Sequence, residues 1–126
     1  SLAETAMANG KTAVVYTSRT VIDLSDQTPE QLLAISVRIS DALTSVVSRL
    51  AKRPRFLIAK GGITSSDVGT IALAVKKARV LGQVQPGIPV WKIGEESRFP
   101  GMSYIIFPGN VGDEDTLRKI VEVLNR

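Results

Sequence analysis

The chain has 126 residues, 44% of them hydrophobic and 22% charged, a balance typical of one globular domain large enough to bury a core. Sixteen Lys and Arg residues against twelve Asp and Glu residues give a formal net charge of +4, which favours anionic partners. The sequence contains neither histidine nor cysteine, which excludes disulfides, thiol catalysis and Ser–His or Cys–His catalytic pairs within these residues.

The first elements along the chain are predicted to be a helix, a strand and a loop. Residues 2–9 have the pattern of the last turns of a helix that ends at Asn9-Gly10. The β-branched run at 12–17 predicts a short strand, and residues 18–27 predict a polar loop. Because the chain begins in mid-helix without methionine, we expect it to be a piece of a longer protein.

A long helix is predicted next. Thr28 is a suitable N-cap, Pro29 suits the first helical position, and Pro54 sets the latest end of the helix. Apolar residues at spacings of three and four predict its buried face: Leu32, Ile35, Ile39, Leu43, Val46 and Leu50.

The second half of the chain alternates strands with helices. Strands are predicted at 55–59, 78–82, 90–93 and 103–107, with a turn at 85–87 and an irregular connection at 94–102. Two amphipathic helices are predicted from their apolar faces: Val68, Ile71, Ala72 and Val75, then Leu117, Ile120, Val121 and Leu124. This order predicts an α/β layered sandwich with a mostly parallel central sheet flanked by helices.

Two glycine turns, each between an apolar strand and a helix, are the most informative feature. The first reads Lys60-Gly-Gly-Ile-Thr-Ser-Ser-Asp67 and the second Phe107-Pro-Gly-Asn-Val-Gly-Asp-Glu-Asp115. A helix N-terminus offers free N–H groups and partial positive charge to a phosphate, and glycine lets the backbone approach it. We expect both turns to face one crevice, because ligands bind at the carboxyl ends of such strands. Neither turn matches a P-loop or a Rossmann fingerprint.

Several side chains of the first turn have two interpretations. Thr64, Ser65 or Ser66 can cap the following helix, and the same hydroxyls can bind phosphate oxygens. Lys60 is either a solvated charge or a phosphate contact.

The second turn leaves similar alternatives. Asn110 can cap the last helix or bind a ligand. Acidic side chains near a helix N-terminus interact favourably with the helix dipole. Asp113, Glu114 and Asp115 are therefore expected to stabilise the start of the last helix, with magnesium binding as the alternative.

Three motifs together resemble one known family. The order Lys60-Gly-Gly-Ile-Thr-Ser65, Gln85-Pro-Gly-Ile-Pro89 and Gly109-Asn-Val-Gly112 is similar to the C-terminal nucleotide-binding domain of the four-carbon acid sugar kinases. The family's stretches read approximately G-G-E-T-S, A-P-G-V-P and K-S-G-N-F-G. The resemblance extends over residues 55–125 and is loose over the first fifty. Ile63 stands where Glu is commoner, and Phe107-Pro108 replaces Lys-Ser, which removes a phosphate contact.

The resemblance implies an ATP-dependent kinase of carbohydrate metabolism, a transferase that phosphorylates tetronates or 3-oxo-tetronates with Mg²⁺. Residues 1–126 are then one nucleotide-binding domain, the C-terminal fragment of a two-domain kinase. The sugar acid and the catalytic carboxylate belong to the N-terminal domain, so the fragment alone is expected to be inactive, with no catalytic or metal-binding residue. The implied cofactor-binding residues are Gly61, Gly62, Ile63, Thr64, Ser65, Gly109 and Asn110.

Two other classes stay open. A non-catalytic regulatory or interaction domain can bind a nucleotide or another anion with the same turns. A nucleic-acid module would use the basic clusters instead, although the sequence has only six aromatic residues for base stacking. We expect no nucleic-acid partner, no membrane contact and a cytoplasmic location, while self-association stays open. The basic clusters are Lys52, Arg53 and Arg55, then Lys76, Lys77 and Arg79.

Overall fold

A computed structural model describes residues 2–17 and 25–126, and most of the loop predicted at 18–27 lies outside them. The helices are α1 (Leu2–Ala8), α2 (Pro29–Ser48), α3 (Gly62–Asp67) and α4 (Thr116–Leu124), and a π-helical turn, Val68–Ala72, continues α3. The strands are β1 (Phe56–Lys60), β2 (Ala78–Gln85), β3 (Ile88–Ile93) and β4 (Ser103–Phe107).

The four strands form one mixed sheet in the order β1-β4-β3-β2. β1 and β4 run parallel, whereas β3 is antiparallel to both β4 and β2. The α/β class is therefore confirmed, but the prediction of a mostly parallel sheet is wrong. The reason is the length of the connections: β2 and β3 are joined by a tight turn, and residues 94–102 are too few for the crossover that parallel strands require.

Two hydrophobic cores cover opposite faces of the sheet. The core on the α4 face contains Ile88, Ile105, Phe107 and Ile120. The larger core lies on the face covered by α3, the π turn and the end of α2; it contains Leu50, Ala59, Val68, Ala72, Leu73, Ile93, Phe99, Met102 and Tyr104. The sheet is thus one layer between helices, which holds the ends of β1 and β4 rigidly beside each other.

Helix α2 begins as predicted, with a capping box in which the Thr28 hydroxyl accepts from the N–H of Gln31. Its buried contacts concentrate near Thr44 and Val47. The predicted buried face is partly wrong, because three of its members are exposed: Leu32, Ile39 and Val46.

Helix α3 also differs from its prediction. The chain widens into a π-helical turn after Asp67, and this change of period leaves Ile71 64% exposed while Gly69 and Leu73 are buried. The aromatic ring of Tyr104 fills the space beside Gly69.

The N-terminal segment confirms one prediction and corrects another. Helix α1 ends at Ala8, and Gly10 has a φ of 74°, the left-handed stop predicted there. The strand predicted at 12–17 is wrong, since these residues join no sheet within the described ranges and Val14 and Val15 are exposed. β-branched residues favour a strand only where a partner strand is available. None of the helices in 2–17 and 25–126 is long and apolar enough to cross a membrane.

Candidate functional site

The two glycine turns meet at one edge of the sheet. Because β1 and β4 are parallel and Lys60 pairs with Phe107, the turns that follow them start side by side. The N–H of Gly61 donates to the Phe107 carbonyl at 2.8 Å, and a Cβ placed on Gly109 would lie 3.8 Å from the Cα of Gly61. The structure therefore brings together the two turns that the sequence analysis singled out.

The first turn presents backbone donors. Gly61 has a φ of 102°, which favours glycine, and it is the N-cap of α3. No hydroxyl side chain caps this end, contrary to the capping alternative. Within the described ranges the N–H groups of Gly62, Ile63 and Thr64 have no acceptor, because the first N–H groups of a helix have no partner inside it. Such a row of donors suits the oxygens of an anion.

The edge of the first turn is open to solvent. A Cβ at Gly62 would meet nothing within 4 Å, and the Ile63 side chain is 74% exposed. Thr64 is half-buried and its hydroxyl lies 3.9 Å from a Cβ built on Gly61. There is room for a ligand along this edge.

Beneath the turn, two hydroxyl groups fix its backbone. The buried Ser65 Oγ donates to the Ala59 carbonyl at 2.9 Å, so this hydroxyl lies inside the fold. The Tyr104 hydroxyl donates to the Ser65 carbonyl at 2.5 Å. Burial raises the pKa of Tyr104, and a backbone contact with Gly69 opposes this only in part, which keeps the phenol a donor. Sequence analysis missed Tyr104, because no local pattern connects it with α3.

The second turn contributes backbone and an amide side chain. Gly109 and Asn110 are exposed, and Asn110 makes no hydrogen bond that caps α4, whose N-cap is Asp115. A Cβ on Gly87, where φ is 79°, would lie 3.4 Å from Val111. The turn between β2 and β3 therefore packs on the second glycine turn, and the three motifs of the family resemblance lie at one edge of the sheet.

Asp113 makes its hydrogen bonds within the second turn. Its Oδ1 accepts from the Asp115 N–H at 2.9 Å and from the Thr116 hydroxyl at 3.1 Å, while its own N–H donates to that hydroxyl. These bonds, the one from the Asp115 backbone first, lower the pKa of Asp113. In the described part of the chain, no group of three acids is arranged to hold a metal ion. The geometry favours the role at the helix start over magnesium binding.

Lys60 lies where the two turns touch. Its Nζ is 4.1 Å from the centroid of the Phe107 ring and 3.4 Å from the carbonyl oxygen of Gly109. The side chain is exposed, and a cation over an aromatic ring at such a site contributes about 0.5–1 kcal/mol. A positive charge is thereby held at the edge that carries the free N–H groups.

A surface depression of about 460 Å³ lies away from the glycine turns. It is lined by Lys76, Lys77, Gly94, Glu95 and Glu96, and its mixed charges favour no particular ligand. The site at the glycine turns is an open edge, defined by N–H groups that have no acceptor among the described residues.

A protein-family model described as "nucleotide-binding C-terminal domain" matches residues 1–117. None of the curated proteins is significantly similar to the chain. The fold is also found in two crystal forms of a Bordetella bronchiseptica protein with a domain of unknown function, DUF1537, solved with bound citrate as a domain-swapped dimer. One has a TM-score of 0.61 and 19% identity over 98% of this chain and 30% of that chain. The other crystal form has a TM-score of 0.57 and 22% identity over 70% of this chain and 21% of that chain.

A further similar structure is a proposed tRNA synthase from Salmonella typhimurium LT2, with a TM-score of 0.53 and 22% identity over 75% of this chain and 24% of that chain. At these identities the solved structures show a shared fold. The present chain spans less than a third of the length of each of these proteins.

Proposed function

The chain belongs to the nucleotide-binding C-terminal domain family, and from that premise we propose that it binds ATP at the paired glycine turns as one part of a four-carbon sugar-acid kinase. The observation that supports this proposal is the contact between the two turns, with Gly61 and Gly109 side by side and, on the same edge, three N–H groups that find no acceptor among the described residues. This arrangement fits the oxygens of a polyphosphate, which accept hydrogen bonds and bear negative charge.

The proposed role of the chain is to hold and orient the nucleotide. The N–H groups of Gly62, Ile63 and Thr64 donate to phosphate oxygens. Gly109 and Asn110 lie against the opposite side of the ligand. Phosphoryl transfer requires mainly positioning and neutralisation of charge, which backbone donors supply without a reactive side chain. ATP supplies the phosphoryl group, and Mg²⁺ is bound through the phosphates, since the described residues offer no acidic cluster for it.

The acceptor in this proposal is a hydroxyl of a tetronate or 3-oxo-tetronate held by a second domain. The chain is less than a third as long as the structures it resembles, so substrate binding and the catalytic base are assigned to the remainder of such a protein. The described residues alone position ATP and turn over no sugar acid.

Titration tests the proposal. We expect Mg·ATP to release or absorb heat in calorimetry and to shift the amide resonances of Gly61, Thr64 and Gly109, whereas Mg²⁺ alone does neither. The Bordetella structures are domain-swapped dimers, so the oligomeric state is determined by light scattering before the titration. No heat and no shifts at millimolar Mg·ATP would refute the proposal. Salt-sensitive binding of a single-stranded oligonucleotide, without a response to ATP, would support the basic nucleic-acid module instead.

A further inference from the structure

Lys60 lies at the junction of the two glycine turns. It is the last residue of β1, pairs with Phe107 at the end of β4, and directs its Nζ across that strand to the carbonyl of Gly109. One side chain from the first turn therefore reaches the second turn. The ring of Phe107 lies beneath the ammonium and fixes its position at the junction.

The charge of Lys60 is not neutralised by any acidic side chain of the described residues. Within residues 2–17 and 25–126 no acidic side chain forms an ion pair with it; the ion pairs of this part of the chain join Arg118 with Asp115 and Glu122. The contact with Gly109 is long, at 3.4 Å, and an ammonium group has three N–H donors. At least two donors thus remain for a ligand at the same edge.

The carboxylate of the second turn is hydrogen-bonded within that turn. Asp113, in the second turn, directs Oδ1 to the Asp115 N–H and the Thr116 hydroxyl, and these bonds hold it at the start of α4. The positive charge of Lys60 and the unpaired N–H groups of the first turn consequently act on the same exposed edge.

We propose that Lys60 is a phosphate-binding residue of the nucleotide site, a cation that spans both glycine turns and neutralises the polyphosphate of ATP. This inference rests on the proposed function, because it assigns a further residue to that same site. The ammonium donates a charge-assisted hydrogen bond to a phosphate oxygen, and Phe107 keeps it in place when the site is empty.

Three variants test the inference: Lys60→Met, Lys60→Arg and the control Lys92→Met. Lys92 is also exposed and its loss changes the net charge equally, but it pairs with Ser103 at the opposite end of β4 from the second turn. We expect Lys60→Met to weaken Mg·ATP binding about tenfold to a hundredfold, the range for a hydrogen bond to a charged group. Lys60→Arg is expected to stay within about threefold of the parent chain, and Lys92→Met to bind like it.

The salt dependence gives a second readout. Raising the ionic strength screens exposed charges, so affinity for Mg·ATP should fall less steeply with salt in Lys60→Met than in the parent chain or in Lys92→Met. Melting temperatures show whether each variant is folded at the temperature at which its affinity for Mg·ATP is measured.

The outcomes separate the two proposals. If the parent chain binds Mg·ATP and Lys60→Met binds it equally well, the role of Lys60 is overturned while the proposed function stands. If Lys60→Arg binds as weakly as Lys60→Met, positive charge is not what the site uses, and the role is overturned as well. If the parent chain binds no nucleotide, both proposals fail together.

Discussion

The two glycine turns occupy equivalent places after parallel strands, yet they use their polar groups in opposite ways. The first ends in an uncapped helix whose leading N–H groups have no acceptor in the described ranges. The second surrounds its helix start with Asp113 and Thr116, which bond to each other and to the backbone. Neither helix start has a side-chain cap hydrogen bond, so the two turns differ in how their own polar side chains are bonded and not in the capping of their helices. The first turn leaves glycine backbone open at an exposed edge, which suits an anion.

This difference explains why glycine occurs in both turns for different reasons. At Gly112 the backbone has a φ of 85° and a Cβ would lie 2.7 Å from the Thr116 hydroxyl oxygen, so glycine is required by the fold. At Gly62 the added atom would meet nothing within 4 Å, and φ is not in the left-handed region. The described fold therefore does not require glycine at position 62, which agrees with the proposed approach of a ligand to its backbone.

The largest expected effect is on stability at the second turn. Gly112→Ala should lower the free energy of unfolding by about 2–4 kcal/mol, since it combines a strained φ with overlap against Thr116. Chemical denaturation measures this change. The folded fraction should keep the parent affinity for Mg·ATP, and a fully stable variant would mean that the turn tolerates a side chain.

A binding effect without a stability effect is expected at the proposed ligand edge, for one glycine from each turn. Gly62→Ala and Gly109→Ala should each weaken Mg·ATP binding by about 1–3 kcal/mol, because the new methyl group occupies the ligand's edge or displaces a charge-assisted contact. Their melting temperatures should not fall, since neither position requires a positive φ. Calorimetric titration beside thermal denaturation gives both numbers. A variant that stays folded and binds like the parent removes that glycine from the site.

The support beneath the first turn has an intermediate expected effect. Tyr104→Phe removes the hydroxyl that donates to the buried Ser65 carbonyl, and it should cost about 1–3 kcal/mol of unfolding free energy. The raised pKa of Tyr104 adds a pH dependence. Its contribution to stability is complete below the unfolded value near 10 and is lost as pH rises toward the higher folded value.

Absorbance of the tyrosinate at high pH tests whether the stabilising contribution of Tyr104 is lost as the pH rises. Ionisation of Tyr104 in the parent chain should coincide with unfolding, and Tyr104→Phe should lose less stability between pH 9 and 12 than the parent does. Equal losses in the two proteins would show that the phenol does not contribute to alkaline unfolding.

Local sequence signals predicted much of this fold. The N-cap at Thr28, the stop at Gly10 and the strand at 103–107 follow from short-range chemistry, and each is confirmed. Strand direction was mispredicted, although the turn at 85–87 already implied an antiparallel pair. The alternation of strands and helices predicts parallel strands, whereas the short connections on either side of β3 allow only antiparallel neighbours.

The rest depends on partners that lie far apart in the sequence. The strand predicted at 12–17 had the right residues but finds no neighbouring strand within the described ranges. The two glycine turns were expected to face one crevice from their position after two strands, and the structure places Gly61 and Gly109 side by side at one edge of the sheet. Tyr104, which supports Ser65 from a different strand, has no signal in local spacing.

The smallest expected effect concerns the charge of Asp113. Its hydrogen bonds lower its pKa in the folded chain, so its contribution to stability is present above the unfolded value near 3.9 and is lost as pH falls through the lower folded value. Asp113→Asn keeps an oxygen that can accept from the Asp115 N–H but removes the charge. The variant should therefore be slightly less stable than the parent at pH 7 and should lose less stability on acidification to pH 3.

Thermal denaturation of the parent and Asp113→Asn between pH 3 and 7 measures whether their stabilities approach each other as the pH falls. Glu114→Asn is the matched control, because Glu114 is an exposed acid of the same turn. Mg·ATP affinity at pH 7 completes the comparison of the turns. If Asp113 acts only at the helix start, the folded Asp113→Asn chain binds Mg·ATP like the control variant. A selective loss of Mg²⁺-dependent affinity would instead restore the magnesium interpretation and add Asp113 to the contacts that the second turn makes with the nucleotide.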